Sequence, residues 1–418
     1  MAAAPPYARM TRIPMKHRSL LVLFCLVSAA LGAAEPVSAP ASIAEAWARG
    51  QVSLNARLRL ESVQQAGLRD ADALTLRTRL GYATAAWRGW KFMAEAENIT
   101  AADGDNYSQA GLNPGGAGRA VVADPEGTEI NQAWAAFSSG QTSATLGRQR
   151  LVLDNARFIG DVGWRQNQQT FDAAVFQNKN LAKTTLTYAY LDRINRVFGS
   201  DHAQGRWRSD SHIFHASHTG LPAGTLTAYA YLLKFSNSAA NSTATYGASL
   251  TGTAKLSEAL KLTYRAELAT QTDHGNSPLR YRATYHALEV GLTAKQAGIA
   301  LLHEALGSDN NVGFKTPLAT LHAFNGWADL FLTTPAAGLR DTYLRANASL
   351  PGDVALVAGQ HWYEADSGGA TFGSEFNAQL TRKFGQSVTA VLKYADFRRD
   401  SAAFPSVRKL WIQIEFNH

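Results

Sequence analysis

The sequence predicts an all-β fold: a transmembrane antiparallel β-barrel of about 18 strands, with short periplasmic turns and long extracellular loops. Three observations carry this. Apolar and polar residues alternate with period two along most of the chain, the alternating segments are long, and short connections alternate with long ones. Beyond residue 34 no stretch approaches the run of about 18 apolar residues that a membrane helix needs.

The alternation is plain in several segments. Val52, Leu54, Ala56, Leu58 and Leu60 share one parity, and Ser53, Asn55, Arg57, Arg59 and Glu61 the other. A helix would scatter these residues around its circumference, whereas a strand sends them to two faces. Leu74, Leu76, Leu80 and Tyr82 oppose Thr75, Arg77, Arg79 and Gly81. Leu262, Tyr264, Ala266 and Leu268 oppose Lys261, Thr263, Arg265 and Glu267. Leu344, Ala346 and Ala348 oppose Tyr343, Arg345 and Asn347; Leu410, Ile412, Ile414 and Phe416 oppose Lys409, Trp411, Gln413 and Glu415.

The segments are roughly 10–14 residues long, the length of a tilted bilayer crossing. The strands are placed at 50–61, 73–87, 90–100, 128–138, 142–151, 168–178, 181–193, 210–220, 224–236, 244–256, 259–272, 282–295, 297–306, 340–350, 353–366, 371–384, 387–398 and 407–416. An even count puts both termini on the periplasmic side. An additional strand at 322–332 would break that count. The long connections are 101–127, 152–167, 194–209 and 307–339.

Residues 1–34 read as a signal peptide. Lys16 and Arg18 precede the apolar run Ser19–Leu31, and Gly32, Ala33 and Ala34 supply a cleavage site. Residues 1–14 form an upstream extension of it. Residues 35–49 read as a periplasmic N-terminal segment and 50–418 as the barrel. The formal charge is 40 − 33 = +7, of which Arg9, Arg12, Lys16 and Arg18 leave with the signal. The remaining +3 argues against nucleic-acid binding, which needs a concentrated basic stripe. Cys25, the single cysteine, leaves too, so disulfides, Cys-ligated metal and thiol catalysis are excluded from the mature chain.

The inward parity carries a basic set. Arg57, Arg59, Arg77 and Arg79 fall on two adjacent strands, and a turn centred on residue 67 sets Arg57 opposite Arg77. Glu61, Glu95 and Glu97 share that parity and would screen part of the charge, with a water-filled lumen screening the rest. Arg148, Arg150, Arg265 and Arg345 extend the pore-lining set. Guanidinium forks suit carboxylates, so the ladder points to a uronate or another organic anion. The same pairs also read as braces of the barrel wall.

A second candidate is a constriction loop carrying Asp154, Asn155, Arg157, Asp161, Trp164, Arg165 and Asn167. Folded inward, it would narrow the pore; packed at the mouth, its Arg and Asp residues would pair with one another. Asn325–Asp329 reads as a second lid. His212, His215 and His218 do not converge on a strand, and Asp103–Asn106 lacks the distal Glu of a calcium loop, so no metal site is expected. No nucleophile elbow or phosphate loop is present, and no cofactor is implied. Tyr82, Trp87, Trp90, Tyr188, Tyr190, Tyr229, Tyr231, Trp362, Tyr363, Tyr394 and Trp411 read as interfacial girdles, with sugar stacking as the other reading of any that face inward.

Four stretches resemble the alginate-export porin family of Gram-negative outer membranes: Asp124–Trp134, Leu146–Ala173, Tyr190–Gly199 and Phe324–Leu344. The resemblance implies an eighteen-stranded monomeric barrel with an Arg-rich lumen that passes anionic sugars. It also implies outer-membrane lipid and lipopolysaccharide around the wall, and insertion by the barrel assembly machinery. Such barrels often end on an aromatic residue, whereas here Asn417 and His418 follow Phe416. The leading reading is thus a passive channel for an anionic saccharide or a small organic anion. A general uptake porin, a barrel-embedded lipid hydrolase and an adhesive barrel are the alternatives.

Overall fold

The computed structural model describes residues 39–418, so the signal-peptide reading lies outside the described residues. Besides a two-residue ladder between Ser308–Asp309 and Val312–Gly313 in one long loop, the described residues form an antiparallel sheet of 18 strands. In order they are Gln51–Gln65, Ala71–Ala83, Trp90–Ala101, Gly127–Ser139, Thr142–Gln149, Thr170–Asn178, Thr184–Asn195, Arg206–Leu221, Gly224–Leu233, Thr243–Lys255, Lys261–Asp273, Arg282–Thr293, Ala297–Leu306, Leu339–Leu350, Val354–Glu364, Thr371–Phe384, Val388–Arg399 and Val407–Asn417. Each pairs with its neighbours in sequence. The first strand also pairs with the last, Asn55 facing Asn417 and Gln65 facing Val407, which closes the barrel and leaves no free edge.

The period-two pattern sets which side chains face inward. On the first two strands Arg57, Arg59, Glu61, Val63, Ala71, Ala73, Thr75, Arg77 and Arg79 are all buried, while Leu58, Leu74 and Leu80 on the opposite parity are exposed on the outer wall. Leu268, Ile299, Leu301, Ile412 and Ile414 continue that apolar outer band. Arg57 lies opposite Arg77, as the turn centred on Gly67 requires.

Differences from the sequence reading have local causes. The second strand ends at Ala83 rather than residue 87, because the Ala85 amide turns away to donate to Ala46 O at 3.0 Å. That carbonyl belongs to a short helix, Ile43–Ala48, capped by Ser42, whose hydroxyl accepts from the Glu45 amide at 3.1 Å. The fifth strand stops at Gln149, where the chain leaves the wall for the lumen. Residues 322–332 form no strand; a 3-10 turn, Leu321–Ala323, starts that stretch. The girdle reading fails for Tyr229, Tyr231, Tyr363 and Trp411, which are at most 5% exposed and point into the lumen. Their parity is that of Thr227, Glu375 and Gln413, so they pack beneath the loops rather than against lipid.

A charge placed on the outer band should cost more than one placed inside. Leu268→Arg should destabilise the barrel by about 2–4 kcal/mol in liposome unfolding titrations, and the inward Thr263→Arg by about 1 kcal/mol or less.

Candidate functional site

Two long loops fold inward and cross the upper half of the barrel. The first, residues 150–169, joins the fifth and sixth strands but reaches the far wall. Its Asp154 meets His215 of the eighth strand at 2.9 Å. Its Arg157 makes two bonds to Glu304 of the thirteenth, at 2.7 and 3.0 Å. Its Arg165 meets Glu61 of the first at 3.0 Å, and its Gln166 donates to the Thr75 hydroxyl of the second at 2.9 Å. The eighth and first strands lie on roughly opposite sides of an eighteen-membered ring, so the loop traverses the lumen.

Packing and strain accompany this path. Phe158 inserts among Tyr229, Tyr285 and Phe314, with ring centroids 5.3, 5.2 and 6.0 Å away. Asp154, Ala156 and Val162 hold left-handed backbone, with φ of 51°, 65° and 49°. For a β-branched residue such as Val162 that conformation persists only when the surroundings dictate it. Asp161 supplies part of the restraint by accepting from Arg150 at 2.5 Å, from Gln168 at 2.7 Å and from the Gly163 amide at 3.2 Å. Asn155 accepts from the Arg157 amide at 3.2 Å and shapes the same turn.

The second loop, residues 307–338, joins the thirteenth and fourteenth strands and docks on the first. Gly160 donates to Leu318 O at 2.8 Å, and Thr320 donates to Ala156 O at 3.0 Å. Trp164 stacks on His322 with centroids 4.7 Å apart and planes within 4°. Phe331 anchors this loop beside Tyr363 and Phe404, at 4.5 and 5.1 Å.

At the junction sits a buried group of charges. Asp329 accepts from Arg165, Lys409 and His322 at 2.8, 2.8 and 2.7 Å. The other ring nitrogen of His322 lies 2.7 Å from the Lys393 ammonium. With Lys393 as an ammonium, Nε2 accepts and Nδ1–H donates to Asp329, which keeps the imidazole neutral. Lys393 also sits over the rings of Trp164 and Trp327, at 4.0 and 3.8 Å. Burial raises the Asp329 carboxyl, but His322, Lys409 and Arg165 overcome it and hold it well below the usual carboxylate range. Burial drives His322 well below its ordinary value; Asp329 opposes this and Lys393 reinforces it.

The arginine ladder lies under the first loop. Arg57 donates to the carbonyls of Gly163 and Trp164, both at 3.1 Å, and pairs with Glu415. Arg59 donates to Trp164 O at 2.5 Å and to Gln413 at 2.8 Å, and stacks on the Trp164 ring at 4.2 Å. Arg77 holds Asn55 at 2.6 Å and Glu415 at 3.2 Å. Arg79 pairs with Glu97 and donates to Gln166 O at 3.4 Å. Arg59 is 0% and Arg77 1% exposed. The screening therefore comes from loop carbonyls and carboxylates, not from a water-filled lumen, and in this arrangement no solute reaches Arg59 or Arg77.

The remaining predicted residues stand apart. Arg148 forks onto Asp172 at 2.7 and 3.1 Å. Arg265 pairs with Glu267, and Arg345 meets Glu289 at 3.0 Å. Arg150 and Arg345 keep about half of their side-chain surface open, 51% and 45%. Asn167 borders a cavity of about 50 Å³ with Glu97, Glu126, Glu129 and Asp201. That is far below the roughly 300–1,000 Å³ of sites that enclose small organic ligands. The sequence reading did not assign Asp124, Glu304, Lys393 or Glu375 to the site. Asp124 accepts from the Gln166 amide at 2.7 Å, and Glu375 from the Ala328 amide at 2.8 Å. Inward parity on their strands was the available signal for Glu304, Glu375 and Lys393.

The comparisons with known proteins agree with this architecture. The family model described as alginate export matches residues 44–416. The chain belongs to the alginate export family. No curated protein sequence matches it. Among solved structures, Acinetobacter baumannii OccAB4 superposes with a TM-score of 0.69 at 12% identity, covering 88% of this chain and 98% of that one. Pseudomonas aeruginosa OccK9 (OpdG) gives 0.69 at 15%, covering 89% and 100%. Pseudomonas aeruginosa OpdK, solved with vanillate, gives 0.68 at 12%, covering 88% and 98%. At such identities the likeness is one of fold. This alginate export family member is an outer-membrane β-barrel channel; its family and fold are those of channel proteins rather than enzymes.

The junction makes closure pH-dependent. Because closure disfavours the imidazolium, the stability it contributes is complete above the ordinary value of 6.5 and is lost as pH falls below it. Acidification from pH 7.5 to 5 should raise the open probability in planar bilayers. His322→Gln, which can still accept from Lys393 and donate to Asp329, should open less on acidification than the wild type.

Proposed function

We propose that this channel passes anionic solutes, a uronate-containing saccharide or a small organic acid, and that such solutes open it by competing for the arginine ladder. The observation that carries the reading is the set of loop carbonyls on Arg57, Arg59, Arg77 and Arg79. A carboxylate on a guanidinium fork makes a stronger, charge-assisted pair than a neutral carbonyl does. Solute carboxylates arriving past Arg150 would displace residues 163–166 from the ladder, and the forks would then guide the solute along the wall. No chemical step is involved; the field lowers the entry barrier. Arg148, Arg265 and Arg345 stay on their carboxylate partners and brace the wall. In this reading the channel is a monomer inserted by the barrel assembly machinery, with residues 35–49 on the periplasmic side and lipid and lipopolysaccharide around the outer band.

The test is the reversal potential in a planar bilayer under a salt gradient, repeated with uronate oligomers. The wild type should prefer anions, and the oligomers should raise its open probability while lowering the current through each open pore as they occupy it. The joint change of Arg57, Arg59, Arg77 and Arg79 to Gln should bring the permeability ratio close to unity, in protein shown to be folded by heat-modifiable gel mobility. Equal anion preference in both proteins would leave the ladder as bracing alone.

A further inference from the structure

The helix Ile43–Ala48 does not enter the lumen. It lies against the outer face of the periplasmic rim, where the Tyr82 hydroxyl donates to Trp47 O and the rings of Trp47 and Tyr82 lie 5.2 Å apart. Tyr82, Trp90 and Phe92 share the outward parity of their strands. Between helix and wall is a notch of about 230 Å³, lined by Ile43, Ala46, Trp47, Trp87, Trp90 and Phe92. Its surface is almost wholly apolar, and Ile43 and Trp47 at its edge are 57% and 61% exposed.

Two polar features mark the same place. The Trp87 Nε1 is buried and meets no acceptor among the described residues. An indole N–H is a donor only, and a buried donor without a partner calls for one. Next to it Arg88 is exposed, its guanidinium 5.2 Å over the Trp87 ring, held there by left-handed backbone with φ of 49°. An apolar slot with a donor and a cation at its rim complements a molecule with a hydrocarbon tail and an anionic head.

We propose that the notch between the Ile43–Ala48 helix and Trp87, Trp90 and Phe92 binds one phospholipid of the periplasmic leaflet, its acyl chain in the slot. The Trp87 Nε1 donates to a phosphate or ester oxygen, and Arg88 pairs with the phosphate. The lipid would pin the N-terminal segment to the barrel rim. This is a specific site, distinct from the general contact of the outer band with the bilayer.

Native mass spectrometry of the full chain with phosphatidylglycerol and phosphatidylethanolamine tests this. The wild type should keep one phospholipid at an activation energy that strips the rest. Ile43→Asp, which sets a carboxylate at the slot while suiting a helix N-terminus, should reduce the retained fraction at least threefold. Trp87→Phe and Arg88→Gln should do the same with the helix intact, and folding is checked by heat-modifiable mobility. Equal retention in the wild type and all three variants would overturn the proposal. So would oleate held as firmly as phospholipid, since the head would then play no part. A chain starting at Pro40 that gains a lipid the longer mature chain lacks would show that residues 35–39 fill the notch, which also overturns it.

Discussion

Buried guanidinium groups must have partners, and this constraint organises the lumen. Four arginines on two adjacent strands, two of them directly opposed, would repel one another in a dry interior. Carboxylates answer part of that charge: Glu415 faces Arg57 and Arg77, Glu97 faces Arg79 and Asp124 faces Arg59. The carbonyls of residues 163–166 answer the rest. The ladder thus fixes where the first loop lies, and the loop in turn excludes water from the ladder.

The second loop completes the closure from the other side. Arg165 bridges Glu61 on the wall and Asp329 on the second loop, so one side chain ties three parts of the chain together. Removing one partner from such a group leaves an uncompensated buried charge, which costs about 3–5 kcal/mol. Phe158 and Phe331 supply the apolar anchorage that polar contacts alone would not. The loops therefore pack the lumen beside the ladder, and on the proposed reading a solute must displace them to reach the guanidinium groups.

Much of the barrel was legible in the sequence because its signal is local. Strand parity needs only neighbouring residues, and the Arg57–Arg77 register follows from one short turn. The paths of the loops depend on partners far along the chain: Arg165 lies 104 residues from Glu61 and 164 from Asp329. No local pattern encodes such pairs, so the burial of the ladder could not be read. The girdle error is different in kind. Trp411 shares its parity with Gln413 and Glu415, and that pattern already pointed it inward; nearness to a strand end was the weaker guide.

The most direct test of this account replaces residues 152–167 with a short Gly-Ser turn and measures single-channel conductance and ion selectivity of the refolded barrel. Removing the loop frees Arg57, Arg59, Arg77 and Arg79 together. Conductance should rise several-fold and anion preference should strengthen at the same time. Unchanged conductance with unchanged selectivity would contradict the claim that the loop closes the channel by holding the ladder.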